Sequence, residues 1–165
     1  MTAPAILILT TGGTIDKNYF DALSEYQIVE SGIPDLLKVA RVTIPHRVEE
    51  VCRKDSLDLT DADRAEIAAR AAKAAETRIV ITHGTDTMTE TAKLLAAAVP
   101  DKVIVLTGAL APARFADTDA PFNLGMALAT AQVAAPGVYI AMSGQVFDGL
   151  HVRKDRAAGR FVSLP

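Results

Sequence analysis

Residues 78–108, RIVITHGTDTMTETAKLLAAAVPDKVIVLTG, contain a complete strand–helix–strand pattern. The runs at 78–82 and 102–106 are short, almost continuously apolar and rich in β-branched residues, which is typical of strands buried on both faces. Between them, residues 89–98 are rich in alanine and free of proline, which favours a helix. Because two such strands joined by a helix form the unit of parallel sheets, this stretch predicts an α/β fold.

The strand pattern continues on both sides of this stretch. Apolar runs at 5–9 and 137–142 predict two further buried strands, and an alternating pattern at 39–44, ended by Pro45, predicts a fifth. Residues 16–31 have no clear period and predict a long surface loop of the kind that often carries function.

Two more helices are predicted at 61–75 and 122–134, where alanine is again frequent. The segments TDAD (60–63), with Asp in place of Glu, and TMTE (87–90) have the pattern of capping boxes at helix starts. We therefore expect an open, mostly parallel sheet with helices on both faces, as in Rossmann and flavodoxin-like folds. A single domain over residues 1–165 is the expected organisation.

The composition argues against several classes of protein, including nucleic-acid-binding and membrane proteins. The chain has 165 residues, half of them hydrophobic and 22% charged, with a formal net charge of -3. Scattered cations in an acidic chain argue against nucleic-acid binding. Cys52 is the single cysteine and the three histidines stand far apart, so we expect no disulfide, no metal centre and a cytoplasmic location. The apolar run at 5–9 is too short for a membrane span, and no membrane partner is expected.

A hydroxyl residue and a glycine follow each of the four apolar strands. These steps are TTGGT (10–14), THGT (82–85), TGA (107–109) and SG (143–144). Parallel strands end at one edge of the sheet, where open α/β sheets bind ligands, and glycine lets the main chain approach a ligand closely. We therefore expect a small polar ligand. A nucleotide is the weaker alternative, because the chain lacks both the dinucleotide fingerprint and the P-loop lysine.

The second of these loops indicates the ligand's charges. Thr85 and Asp86 stand just before the predicted helix start at Thr87, where free N–H groups favour a carboxylate. Asp86 itself would complement an ammonium group, so the pair suits the zwitterionic head of an amino acid. The alternative is that Asp86 serves only the helix dipole.

The segments TGGTI (11–15) and THGTDTM (82–88) resemble the two signature motifs of bacterial-type L-asparaginases. Three more segments resemble this family in the same order, namely DSLDL (55–59), DAPFNL (119–124) and FDGLHVRK (147–154). The resemblance implies conversion of L-asparagine to L-aspartate and ammonia by threonine-based double displacement, without a cofactor or a metal ion.

The resemblance also implies the catalytic roles. Two threonine hydroxyls, Thr14 and Thr85, would face the substrate amide, and either is a possible nucleophile. Lys154 would be the base for Thr85. A free lysine has a pKa of about 10.4, so that role requires burial or a nearby cation, for which Arg153 is the candidate. Without the resemblance, a solvated charge run would be the simpler interpretation of Lys154.

A tyrosine from the 16–31 loop would activate Thr14 in this scheme. Tyr19 matches the family's tyrosine by its closeness to Thr14, whereas Tyr26 matches it by the sequence that follows. Both residues therefore stay as candidates.

The remaining residues implied by the resemblance would bind the substrate. Asp86 would take the ammonium group, and the others are Gly13, Asp55, Ser56, Gly84 and Ala109. Main-chain N–H groups near Gly13 and at the Thr87 helix start are expected to stabilise the oxyanion. Leu57 departs from the polar residue of some family members, which leaves the balance between asparagine and glutamine open. His83 is expected to be structural.

Family members usually carry a second, C-terminal domain, which we expect to be absent from this chain. Either a naturally short asparaginase or an excised fragment would explain the length, and the first is favoured. A single domain leaves the site open, so we expect a homo-oligomer that closes it. The alternative functions are a non-catalytic amino-acid sensor and the ammonia-producing subunit of a tRNA-dependent amidotransferase.

Overall fold

The computed structural model describes residues 4–165, in which strands and helices alternate between Glu25 and Met142. The strands are β1 (Ile6–Gly12), β2 (Lys17–Phe20), β3 (Glu25–Ile28), β4 (His46–Lys54), β5 (Arg78–Thr82), β6 (Val103–Thr107), β7 (Gly137–Met142), β8 (Gln145–Asp148), β9 (Val152–Asp155) and β10 (Arg160–Ser163). The helices are α1 (Ile33–Val39), α2 (Asp61–Lys73), α3 (Met88–Ala98) and α4 (Ala120–Val133).

Six strands form one open sheet in the order β4-β1-β5-β6-β7-β8. All neighbours in it are parallel except β8, which pairs antiparallel with β7. Two hairpins, β2–β3 and β9–β10, form separate two-stranded sheets. The expected open, mostly parallel sheet is confirmed, and so are the four apolar strands and three helices on which that expectation depended.

The central strands bury both of their faces, because successive side chains of a strand point to opposite sides. Leu7 and Leu9 of β1 pack on the face covered by α2 and α3, whereas Ile6 and Ile8 pack on the face covered by α1 and α4. The helices therefore lie on both faces, as predicted. Among residues 4–165, no helix combines the length and the apolar character that crossing a membrane requires.

The prediction of a strand at 39–44 is wrong. Residues 33–39 form α1, and Val42 and Ile44 lie in the following connection, where they pack against the core beside α1. The fifth parallel strand is β4, which lies at the edge of the sheet and carries mostly polar residues that are exposed or partly buried. Its sequence resembles a surface segment because edge strands are protected by charged side chains.

The prediction of a loop at 16–31 is also wrong, because most of it is the β2–β3 hairpin. Tyr19 pairs with Tyr26 across the hairpin, with ring centroids 5.1 Å apart. Asp16 closes its base: its carbonyl accepts from Val29 N (2.9 Å), and its carboxylate accepts from Ser31 Oγ (2.8 Å) and Gly32 N (3.2 Å). Burial raises the pKa of Asp16, and these hydrogen bonds partly offset that effect.

Candidate active site

Three segments meet at the carboxyl ends of β1, β4 and β5. Gly13 has a positive φ of 83°, and a Cβ atom there would lie 2.5 Å from Gly84 N. A Cβ atom on Gly84 would in turn lie 2.7 Å from Ser56 Cβ and Oγ. Only glycine permits this approach, so the TTGGT and THGT loops and the DSLDL segment form one continuous surface.

Thr85, Asp86 and Lys154 form a hydrogen-bonded cluster next to this surface. The Lys154 ammonium donates to Thr85 Oγ1 (2.7 Å) and to Asp86 Oδ1 (2.8 Å), and its side chain is only 16% exposed. The β9–β10 hairpin carries Lys154 to this position. Arg153 is exposed on the alternate face of β9, so the neighbours of Lys154 are a hydroxyl and a carboxylate rather than the expected cation.

Thr14 begins a short 3-10 turn after β1 and lines an open cleft of about 350 Å³. The other residues that line the cleft are Lys17, Tyr26, Leu110, Ala111, Pro112 and Phe115. Tyr26 therefore borders the same cleft as Thr14, whereas Tyr19 packs behind it against the Tyr26 ring and is not among the lining residues. The wall formed by residues 110–115 could not be predicted from the sequence, because its residues resemble an ordinary loop.

Asp55 and Ser56 are held by hydrogen bonds at the rim. Asp55 Oδ1 accepts from Leu57 N (3.1 Å), and Oδ2 accepts from Lys17 Nζ (3.0 Å). Although burial opposes the charged form, these two bonds hold the pKa of Asp55 below its usual range. Ser56 is buried beneath Gly84 and is tied to Thr87, whose hydroxyl donates to the Ser56 carbonyl (2.7 Å).

The predicted capping box at 60–63 is confirmed, but the one at 87–90 is wrong. The Thr87 hydroxyl is used by Ser56, so it makes no cap, and Glu90 pairs with Arg64 (3.2 Å). The start of α3 therefore anchors the Ser56 segment.

Two amides expected to serve the oxyanion are already engaged. Gly13 N donates to Lys54 O (2.9 Å), and Thr87 N donates to Ser56 Oγ (3.4 Å). The amides of Thr85 and Asp86 have no hydrogen-bond acceptor among residues 4–165. These are the N–H groups that remain available to a ligand beside the Lys154 cluster.

Ala109 is buried at the end of β6, where its side chain packs into the core beside α4. Only its main chain is therefore available to a ligand. Among the described residues, 4–165, no group of three or more His, Cys, Asp or Glu side chains is arranged to hold a metal ion.

His83 supports the Thr85 loop from inside the protein. It is fully buried; Nδ1 lies 2.6 Å from Gly84 O and Nε2 lies 2.8 Å from Thr91 Oγ1. Because a carbonyl only accepts, Nδ1 carries the proton and Nε2 accepts from Thr91. Arg64 Nε donates to the same Thr91 oxygen (3.3 Å). Burial lowers the pKa of His83 to about 4, which keeps the ring neutral.

This neutral histidine predicts a stability that depends on pH. The folded pKa of about 4 lies below the ordinary value of 6.5, so the unfolded chain alone binds the proton between these values. The contribution of neutral His83 to the free energy of unfolding is complete above pH 6.5 and is lost as the pH falls towards 4. In urea unfolding, we expect the wild type to lose about 2 to 3 kcal/mol more between pH 7 and pH 4.5 than His83→Gln. An equal loss in both proteins would contradict this account.

The contact between Gly84 and Ser56 gives a second prediction. Gly84→Ala should push Ser56 out of position, because the new Cβ would lie 2.7 Å from its side chain. In urea unfolding, we expect the free energy of unfolding to fall by about 1 to 3 kcal/mol. Gly125→Ala is the matched control: a Cβ in this α4 position meets nothing within 4 Å, so stability should rise by about 0.5 to 1 kcal/mol. An unchanged stability in Gly84→Ala would contradict the close contact between Gly84 and Ser56.

Known proteins resemble this chain over nearly its whole length. The family model described as Asparaginase, N-terminal, matches residues 5–161. L-asparaginase 2 of Escherichia coli is 34% identical over 168 residues, which cover 93% of this chain and 47% of the relative. The structure of the thermostable L-asparaginase from Thermococcus kodakarensis superposes with a TM-score of 0.85 at 30% identity, covering 96% of this chain and 51% of that one.

A further structure, of a probable cytoplasmic L-asparaginase from Campylobacter jejuni, has a TM-score of 0.82 at 31% identity and covers 97% of this chain and 51% of that one. More distant in sequence, a glutamyl-tRNA(Gln) amidotransferase subunit from Methanococcus vannielii is 29% identical over 94% of this chain and 39% of its own length. The chain spans about half the length of the curated asparaginases that it matches.

Proposed function

This chain belongs to the asparaginase family, and we propose that it hydrolyses the side-chain amide of L-asparagine to L-aspartate and ammonia. The observation that carries the proposal is the bonding of Lys154 Nζ to both Thr85 Oγ1 and Asp86 Oδ1. A hydroxyl and a carboxylate that both contact one lysine amine supply a nucleophile, a binding group for an ammonium ion and, in the amine, a proton carrier. They lie at the edge of the sheet where such folds bind ligands.

The proposed reaction is a double displacement. A threonine hydroxyl attacks the amide carbon and gives its proton to the neighbouring base, and the carbonyl oxygen becomes an oxyanion. The C–N bond then breaks as the nitrogen takes up a proton and leaves as ammonia. Water attacks the resulting ester, aspartate is released, and the threonine recovers its proton. The amides of Thr85 and Asp86 are the proposed donors to the oxyanion, since they make no other hydrogen bond within residues 4–165.

Substrate binding would release Lys154 from its ion pair. Without substrate, Lys154 Nζ is paired with the Asp86 carboxylate at 2.8 Å. Asp86 is 36% exposed, so it can turn towards the ammonium group of an incoming amino acid. In the proposed exchange Lys154 loses this carboxylate partner and gives up a proton, and the neutral amine then accepts the proton of Thr85.

We assign the activation of Thr14 to the tyrosine pair of the hairpin. Tyr26 lines the cleft with Thr14, and Tyr19 contacts the Tyr26 ring, which supports a role for one of the two hydroxyls at Thr14. Comparing kcat of Tyr19→Phe with that of Tyr26→Phe identifies the residue, because only the activating hydroxyl should cost on the order of 10²-fold.

A cytoplasmic homo-oligomer is the proposed form of the protein. The single, partly buried Cys52 suits a reducing compartment, and exposed Leu110, Phe115 and Tyr26 at the cleft suit coverage by another copy. Sedimentation combined with an activity assay tests the assembly. A fully active monomer would contradict it.

Ammonia release from L-asparagine, from L-glutamine and from buffer alone tests the function. We expect release from asparagine above that from glutamine. The similarity to the glutamyl-tRNA(Gln) amidotransferase supports a second candidate, an ammonia-producing subunit, for which release from glutamine would be the larger. Calorimetric binding of asparagine without ammonia release would instead indicate a sensor.

A further inference from the structure

A second lysine–aspartate pair, Lys17 with Asp55, lies at the cleft that Thr14 lines. Lys17 is the first residue of β2, and its Nζ donates to Asp55 Oδ2 at 3.0 Å. The Lys17 side chain is 26% exposed and lines the cleft together with Thr14 and Tyr26. The sequence around Lys17 gave no indication of a role, because a single lysine in a polar segment has no motif around it.

An amino-acid substrate also carries an α-carboxylate, for which a lysine at the cleft is a suitable partner. Asp86 accounts for the ammonium group under the proposed function, which leaves the α-carboxylate without a cation. The segment next to Gly84 offers the Ser56 hydroxyl, but Leu57 is apolar and 64% exposed, and Asp55 is negative. An unneutralised Asp55 would repel a carboxylate bound beside Ser56.

Of the cations near Asp55, Lys17 is the one that has N–H groups left to donate to a ligand. An ammonium has three N–H groups, and within residues 4–165 only one hydrogen bond of Lys17 is formed. The cations that precede Asp55 in the chain are paired elsewhere: Lys54 donates to both carboxylate oxygens of Asp63, and Arg53 Nε donates to Glu50. Lys154 is bonded on the Thr85 side.

We propose that Lys17 binds the α-carboxylate of the substrate and so makes the enzyme specific for amides that carry one. The inference rests on the proposed function for the identity of the substrate. Asp55 is then a positioning residue, which holds the Lys17 side chain at the cleft and leaves two of its N–H groups for the ligand.

Removing the Lys17 charge tests the proposal through KM and through product binding. In K17M we expect the KM for L-asparagine and the calorimetric Kd for L-aspartate to rise ~10- to 100-fold, with a smaller change in kcat. The KM for 3-aminopropanamide, which has the amide and the amine but no α-carboxylate, should be the same in K17M and in the wild type. K17R keeps the charge and should recover most of the affinity.

Two further variants separate direct binding from simple neutralisation of Asp55. If Lys17 contacts the carboxylate, the double variant K17M/D55N stays as weak as K17M; recovery of the wild-type KM in the double variant overturns the proposal. Lys38→Met, on α1 away from the cleft, is the control and should behave as the wild type.

The proposed function and this inference fail in different ways. A wild type that binds L-aspartate but releases no ammonia disproves the function, while the calorimetric comparison with K17M still decides the role of Lys17. A wild type that is active and a K17M with unchanged KM and Kd disprove the inference alone.

Discussion

Thr85→Ala and Thr14→Ala, each made alone, are expected to abolish ammonia release from asparagine. Each substitution removes a hydroxyl that no neighbouring group replaces, and the loss of a nucleophile or of its paired hydroxyl lowers kcat on the order of 10³-fold or more. Steady-state ammonia production at saturating asparagine is the measurement. Both side chains lie partly exposed at the rim, so the fold should tolerate the changes.

The conservative variants decide whether the hydroxyl itself matters. Thr85→Ser keeps the oxygen that accepts from Lys154 (2.7 Å), whereas Thr85→Val keeps the shape and loses the oxygen. We expect Thr85→Ser to retain substantial activity and Thr85→Val to behave as Thr85→Ala. Full activity in either alanine variant would refute the requirement for both threonines.

The second large effect is expected for Lys154→Met. Methionine fills a similar volume but removes the amine that contacts Thr85 and Asp86, so proton transfer from the threonine has no carrier. General acid–base groups contribute about 10²- to 10⁴-fold, and we expect kcat to fall within that range. Binding of L-aspartate, measured by calorimetry, should change much less, because Asp86 still takes the ammonium group.

Arg153→Met is the matched control for this substitution. Arg153 is the preceding residue of β9 and carries the same charge, but its exposed side chain points to the alternate face. Activity should therefore stay close to that of the wild type. A Lys154→Met protein with near-normal kcat, or an equally large loss in Arg153→Met, would remove Lys154 from the mechanism.

The buried parts of the fold were predictable because both faces of their strands are covered. Continuous apolar runs allow one interpretation only, and β1, β5, β6 and β7 occur where they were expected. The edge strand β4 and the β2–β3 hairpin were missed because solvent reaches them. Because their side chains face solvent, polar residues are tolerated there, and the sequence shows little hydrophobic periodicity.

Some features of the candidate site were likewise predictable from the sequence, and others were not. The motifs around Gly13 and Gly84 follow buried strands, so their arrival at one edge of the sheet was predictable from strand order. The contact between Lys154 and Thr85 was implied only by family resemblance, since 69 residues separate the two in the chain. Nothing in the sequence pointed to the pairing of Lys17 with Asp55.

Local periodicity and strand-end glycines by themselves determined the α/β class of this protein and the edge of the sheet at which we expect a small polar ligand to bind. Tertiary structure alone decided which charges meet there: the hairpin brings Lys17 to Asp55, and β9 brings Lys154 to Asp86. The physical reason is the difference in sequence separation between the two kinds of information. Periodicity reports which side of a single element is buried, whereas an ion pair between distant residues depends on how several elements pack together.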